Sequence, residues 1–214
     1  MQGCDALSKK AERNYIMKKI LSIVLVLAAV LTLFCSCNTS KPIESGDYTY
    51  VVLEDGTAKI SKYNGTKEVI ELDIPSALDD ITVTVIGTEA FAGVQTITVV
   101  NFPKTITKVE ERAFAGSSIK KAFMHRSAIT EIGAYAFAEC KNLVQTDMPS
   151  SLVTLGEKAY YYCDMLKVAT FRGDTANIDK FAFDACPKVK LHVKESMKNV
   201  IEFANTYKIE LNIK

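Results

Sequence analysis

Cys140, Cys163 and Cys186 stand at a constant interval of 23 residues. Thiols brought into line at that interval could form a disulfide, bind a soft metal, or supply a nucleophile. A nucleophilic thiol needs a base, and the chain has two histidines, His125 and His192, neither close in sequence to a cysteine or serine nucleophile. A disulfide drawn from three leaves one thiol over. The matching positions in earlier units hold Val94 and Ser117, which favours a small packing residue over a reactive one. The adjacent carboxylates Asp79-Asp80 and Glu110-Glu111 could share a proton in general acid–base work, but neighbouring charges at turns account for them better. Nor does the chain contain a Gly-x-Ser-x-Gly elbow, a phosphate loop, His-Glu-x-x-His or Cys-x-x-Cys. No catalytic constellation, metal site or cofactor is expected, and the chain reads as a non-enzyme.

The cysteines belong to a wider pattern. Phe91, Phe114, Phe137, Tyr160 and Phe183 follow the same interval of 23 residues, each preceded by Ala90, Ala113, Ala136, Ala159 or Ala182. A third column, Ile86, Val109, Ile132, Leu155 and Ile178, precedes the aromatics by five positions. A fixed period of this length marks a solenoid, in which each turn contacts only its neighbours. Ordering one such unit costs roughly 35 kcal/mol at ~1.5 kcal/mol per residue, which a lone unit cannot recover. Stacking the units puts the aromatics into one dry column. Five repeats are therefore expected over 84–193.

The units read Val85-Ile86-Gly87-Thr88-Glu89-Ala90-Phe91, then Ile132-Gly133-Ala134-Tyr135-Ala136-Phe137-Ala138-Glu139-Cys140, then Leu155-Gly156-Glu157-Lys158-Ala159-Tyr160-Tyr161-Tyr162-Cys163. Their closing halves run Ile97-x-x-Val100-x-Phe102-Pro103 and Leu143-x-x-Thr146-x-Met148-Pro149. This pattern resembles the bacterial surface-antigen class of leucine-rich repeats, the BspA-like or treponemal type, with its Ile-Gly-x-x-Ala-Phe-x-x-Cys signature. The resemblance implies a right-handed, β-rich coil with short helical turns, and an adhesion-type role at the cell surface. The glycine column reads Gly87, Glu110, Gly133, Gly156 and Asp179; Glu110 and Asp179 make glycine there a convenience rather than a requirement of positive φ.

The ends differ from the middle. Lys18 and Lys19 precede an apolar run from Ile20 to Phe34, and Cys35-Ser36-Cys37 follows. A basic start, an apolar run too short to span a bilayer, and a small residue before the cut describe a secretory signal over 1–37, with Met17 the better start. The segment is similar to a bacterial lipoprotein signal, whose terminal cysteine becomes the acylated N-terminus, and Cys37 fits that position. This implies an extracytoplasmic protein attached to the membrane by lipid. Residues 38–46 read as a tether. Over 47–83, Tyr48–Leu53, Ala58–Tyr63 and Val69–Ile74 alternate around Asp55-Gly56 and Asn64-Gly65, which predicts a β-meander capping the coil. Residues 194–214 form the other cap. Met197, Val200, Ile201, Ala204 and Tyr207 recur at helical spacing behind Ser196 as N-cap, and Ile209, Leu211 and Ile213 alternate as a closing strand.

The second repeat needs a one-residue slip. Strict spacing would bury Lys120 and His125, whereas the slipped register buries Ile119, Ala122 and Met124. Side chains turned outward from the short strands then line one face, including Val99 and Val168. Its candidate ligand-binding residues are Asn101, Lys121, Phe123, His125, Gln145, Asp147, Thr170, Arg172, Lys190 and His192. A mixed aromatic, amide and charged ladder suits a protein or glycan partner. A net charge of +1 without a basic block gives no reason to expect nucleic acid. An accessory subunit of an envelope complex is the other reading of such a face, and an enzyme the weakest.

Overall fold

The computed structural model describes residues 41–214. The signal region, Met17 and Cys37 lie outside the described residues. The strands are β1 (Ile43–Ser45), β2 (Tyr48–Val52), β3 (Ala58–Tyr63), β4 (Val69–Asp73), β5 (Ala77–Leu78), β6 (Ile81–Ile86), β7 (Ile97–Asn101) and β8 (Lys108–Val109). After them come β9 (Lys121–Phe123), β10 (Glu131–Ile132), β11 (Gln145–Met148), β12 (Thr154–Leu155), β13 (Val168–Phe171), β14 (Asn177–Ile178) and β15 (Lys190–Val193). The helix α1 (Lys198–Tyr207) and β16 (Glu210–Ile213) close the chain.

Successive strands alternate between two sheets, which makes the fold a β-solenoid. The first sheet runs β1-β2-β3-β6-β8-β10-β12-β14, with β5 paired to β6; the second runs β16-β15-β13-β11-β9-β7-β4. Pairing is parallel from β3 through β14 along the first sheet and throughout the second. Each strand thus lies on its equivalent from the turn before.

The aromatic column is longer than the strict repeat. Ring centroids are 5.2 Å apart for Tyr63–Phe91, 4.7 Å for Phe91–Phe114, 5.1 Å for Phe114–Phe137, 5.2 Å for Phe137–Tyr160 and 5.3 Å for Tyr160–Phe183. All are stacked, with planes within 18° of parallel. Phe203 of α1 tilts onto Phe183 at 6.3 Å and ends the column. The Tyr160 hydroxyl, buried with its ring, shares a hydrogen bond with Thr146 Oγ1 at 3.0 Å, which satisfies a polar group in an apolar stack.

Several expectations change at the ends. The tether's last residues pair antiparallel with β2 as β1, because Gly46 at φ +56° allows the tight return. Asp55-Gly56 does turn a hairpin between β2 and β3, but Asn64-Gly65 does not. There the chain rounds a corner between sheets, and β4 lies parallel beside β7 as a full rung. The region expected as a meander therefore supplies the first turn of the coil. A further hairpin, β5–β6, turns through Asp79 and Asp80, both at positive φ. Asp79 accepts hydrogen bonds from Ser45 Oγ at 2.8 Å and Tyr50 Oη at 3.0 Å.

The short helical turns are single i→i+3 turns, such as Ala115 N–H to Arg112 O and Ala138 N–H to Tyr135 O. Two columns of left-handed residues stop them from continuing. Glu89, Arg112, Tyr135 and Lys158 form one; Gly93, Gly116, Glu139, Tyr162 and Ala185 form the other. Each non-glycine there costs ~1–2 kcal/mol, offset by turn-to-turn bonds such as Arg112 N–H to Ala134 O at 3.0 Å. The Gly87, Gly133 and Gly156 column serves close approach instead. A Cβ at Gly133 would come within 2.8 Å of Glu111 N, and one at Gly156 within 2.8 Å of Ala134 N.

At the C-terminal cap, Ser196 makes no capping bond. Asp174 Oδ1, arriving from the preceding turn, accepts the Asn199 N–H at 2.9 Å and the Val200 N–H at 3.2 Å. A side chain more than twenty residues away does the work that local spacing assigned to Ser196.

Candidate binding face

The second sheet brings most of the sequence-derived candidates together. In register across β7, β9, β11, β13 and β15 lie Asn101, Phe123, Asp147, Thr170 and His192. Two residues earlier on the same strands, and so on the same side, run Val99, Lys121, Gln145, Val168 and Lys190. The slipped register of the second repeat is present: Ile119, Ala122 and Met124 are buried, while Lys121 and His125 are exposed. Without the slip, the odd-numbered residues of β9 would face the core.

Asp147 departs from the expected outward ladder. It is only 5% exposed. Arg172 grips it through Nε to Oδ1 at 2.8 Å and Nη2 to Oδ2 at 2.7 Å, a two-pronged pairing suited to the planar guanidinium. His125 Nδ1 stands 3.4 Å from Asp147 Oδ2 on the preceding turn. The carboxylate in turn holds the Arg172 guanidinium above its ordinary pKa. Asp147 is thus the point that fixes Arg172 and His125 across three turns, rather than a free ligand group.

His192 is perturbed in the other direction. Burial lowers its pKa, and Lys214 and Lys190 add like-charge repulsion. That shift favours the neutral imidazole, which donates and accepts one hydrogen bond each. Lys190 Nζ pairs with Glu210 Oε1 at 2.6 Å on the closing strand.

Beside the row, at the N-terminal half of the face, a groove of about 670 Å3 is lined by residues including Glu71, Asp73, Asn101, Phe123, His125 and Arg126. Asn101 Nδ2 donates to Glu71 Oε1 at 2.7 Å and to Asp73 Oδ1 at 2.8 Å. Both of its donors are used, which fixes the amide at the edge of the groove. Half-buried Phe123 supplies an apolar wall, its ring edge-on to His125 at 6.3 Å. The lining thus mixes the carboxylates of Glu71 and Asp73 with His125, Arg126 and Lys104. Glu71 and Asp73 are not among the sequence-derived candidates because Val69–Ile74 reads as part of the cap. The signal existed: Asp73-Ile74-Pro75 repeats the form of Asn101-Phe102-Pro103 and Asp147-Met148-Pro149.

The cysteine column carries no open chemistry. Cys140, Cys163 and Cys186 are free and buried, and their thiols donate to the carbonyls of Phe114, Phe137 and Tyr160 at 3.1, 3.1 and 2.8 Å. Burial pushes the Cys140 thiol up to about 11, away from the reactive thiolate.

A ladder of another kind runs along the turns that lead from the first sheet to the second. Arg112 pairs with Glu89 at 3.2 Å and lies 6.0 Å from the Tyr135 ring centroid; Lys158 lies 5.7 Å from Tyr135 and 6.0 Å from Phe181. These partners stand one turn apart, so each cation contacts a side chain of the neighbouring turn.

A family model described as BspA type Leucine rich repeat region matches residues 51–190 in six copies. The extra copy over the five strict repeats agrees with the first turn built by β3 and β4. The crystal structure of the T. pallidum leucine-rich repeat protein is similar at 21% identity, covering 74% of this chain and 79% of that one, with a TM-score of 0.59. The pneumococcal vaccine antigen PcpA is similar at 21% identity and TM-score 0.60, over 72% of this chain and 44% of that one. A leucine-rich cell surface protein from Faecalibacterium prausnitzii gives 20% identity and TM-score 0.50, over 73% and 55%. The chain therefore spans about half the length of these last two. No curated protein matches. With stacked aromatics, alanine corners and thiol-to-carbonyl bonds recurring turn upon turn, and a model match across 51–190, the chain belongs to the BspA-type leucine-rich-repeat family.

Proposed function

We propose that the chain is a cell-envelope binding module whose second sheet makes adhesion-type contact with an extracellular protein or glycan. A fixed face of this kind, rather than a reactive centre, is what leucine-rich repeats generally provide. The observation that carries the reading is the groove beside Asn101 and Phe123. It combines an apolar wall, an amide held by two carboxylates, and basic side chains, the mixture through which binding hot spots work. Cys37, once acylated, would hold the module at the membrane. No helix among the described residues is long and apolar enough to cross a membrane. Many copies on one surface would raise avidity beyond what a single short face delivers.

The test displays the full-length chain on vesicles over immobilised extracellular-matrix proteins and glycans. Phe123→Ala and Asn101→Ala are expected to weaken attachment by roughly five- to a hundredfold, as loss of a hot spot does. Lys62→Gln on the first sheet should leave attachment intact. Equal losses in all three variants would sink the assignment to this face. Fatty-acid labelling that persists in Cys37→Ala would remove the lipid anchor from the scheme.

A further inference from the structure

Beyond the face, the C-terminal end of the coil holds a second groove, of about 1120 Å3, between the last turn and the cap. We infer that it is a docking site for an acidic peptide segment bound in extended form.

Two independent features carry this. The first is charge. Five lysines line the groove against two carboxylates. Lys190 is engaged with Glu210, while Lys167, Lys180, Lys188 and Lys208 have no carboxylate within ion-pair distance among the described residues. Asp184 is turned to the backbone, accepting the Ala185 N–H at 3.0 Å. A cleft with that excess of one sign concentrates ligands of the other.

The second is an interrupted ladder. The N–H of Phe91 donates to Ala113 O at 2.7 Å, and Phe114, Phe137 and Tyr160 repeat the bond to Ala136, Ala159 and Ala182 at 2.7, 2.8 and 2.8 Å. Phe183 is next in the column, and among the described residues its N–H meets no carbonyl. The cap extends the second sheet through β16 but adds no strand beyond β14 to the first. The groove thus lies where a further turn would, with a backbone donor in its wall.

Those features select the occupant. A peptide strand brings the carbonyl that Phe183 lacks, in the manner of strand addition at a sheet edge, and acidic side chains reach the lysines. A polysaccharide polyanion answers the charge but not the ladder. A second copy docking end to end would bring the same excess of lysines, so like charge disfavours it.

The experiment uses the full-length chain in detergent micelles with fluorescein-labelled poly-L-glutamate, read by anisotropy and by amide hydrogen exchange. Binding should weaken with salt, and Lys180→Gln/Lys208→Gln should weaken it about tenfold. Both lysines are exposed, and a denaturation curve run alongside confirms that the variant folds. Lys62→Gln/Lys67→Gln at the far end should change nothing, nor should Phe123→Ala, which separates this site from the adhesion face. Exchange at the Phe183 amide should slow in the complex. Absence of binding, or binding indifferent to the two lysines, overturns the inference. Equal binding of polygalacturonate with no protection of Phe183 makes the groove a glycan site instead. Growth in particle size with protein concentration that excludes the peptide assigns it to a second copy.

Discussion

Replacing Phe137 with alanine tests the stacked interior most directly. The side chain is fully buried and sandwiched between Phe114 at 5.1 Å and Tyr160 at 5.2 Å. Removing it loses the transfer free energy of a buried aromatic, about 2 kcal/mol on the area scale. It also leaves a void of roughly 100 Å3, which at ~24 cal/mol per Å3 costs about 2 kcal/mol more if the rigid turns do not collapse. The expected loss is therefore ~4 kcal/mol, measured by urea denaturation of the full-length chain. Phe183→Ala provides the internal control. Phe183 has a stacked ring on one side and a tilted one at 6.3 Å on the other, so its loss should be smaller by at least ~1 kcal/mol, because part of the void opens to the groove. A loss below ~1 kcal/mol at Phe137, or an equal loss at both positions, would refute the one-dimensional column.

Other outcomes follow from single contacts. Asp174→Ala should cost about 1 kcal/mol and speed exchange at the Asn199 and Val200 amides, while Ser196→Ala does neither. Gly133→Ala should destabilise by more than ~2 kcal/mol through backbone overlap, whereas Glu139→Gly should stabilise by up to ~1 kcal/mol by relieving a left-handed residue; both are read by thermal melting. Arg172→Met should cost about 1–3 kcal/mol in urea, since it leaves the buried Asp147 carboxylate without its two-pronged donor. For His192, the folded pKa lies below the ordinary 6.5, so the unfolded chain takes up the proton first. Stability then falls as pH drops through that value, and His192→Gln should flatten that part of a pH–stability profile between pH 5 and 7.

The middle of the coil was legible because packing there repeats. Ala90, Phe91 and Ile86 each recur at one interval, so burial writes the same letters in every turn. The slip at Ile119 could be read from the cost of burying Lys120. The ends were harder because their constraints are not local. Ser196 looked like a cap by spacing, yet Asp174 reaches α1 from the preceding turn. Asn64-Gly65 carried a hairpin signature, but pairing of Val69–Asp73 with β7 overrode it. The left-handed columns were hidden since Arg112, Tyr135 and Lys158 are ordinary residues forced into that conformation by the ladder, and only Gly93 and Gly116 betray it. On the face, alternation revealed which side chains turn outward but not that Asp147 would be consumed by its neighbours.

The ladder of bonds between equivalent turns also sets how the molecule bears mechanical load. Tension along the stacking axis falls on these bonds in series, so the coil yields at its weakest end rather than all at once. Each released turn of 23 residues gives up a rise of ~4.8 Å and becomes up to ~80 Å of extended chain. A coil stretched along that axis would lengthen stepwise, and its remaining turns would keep their surfaces intact.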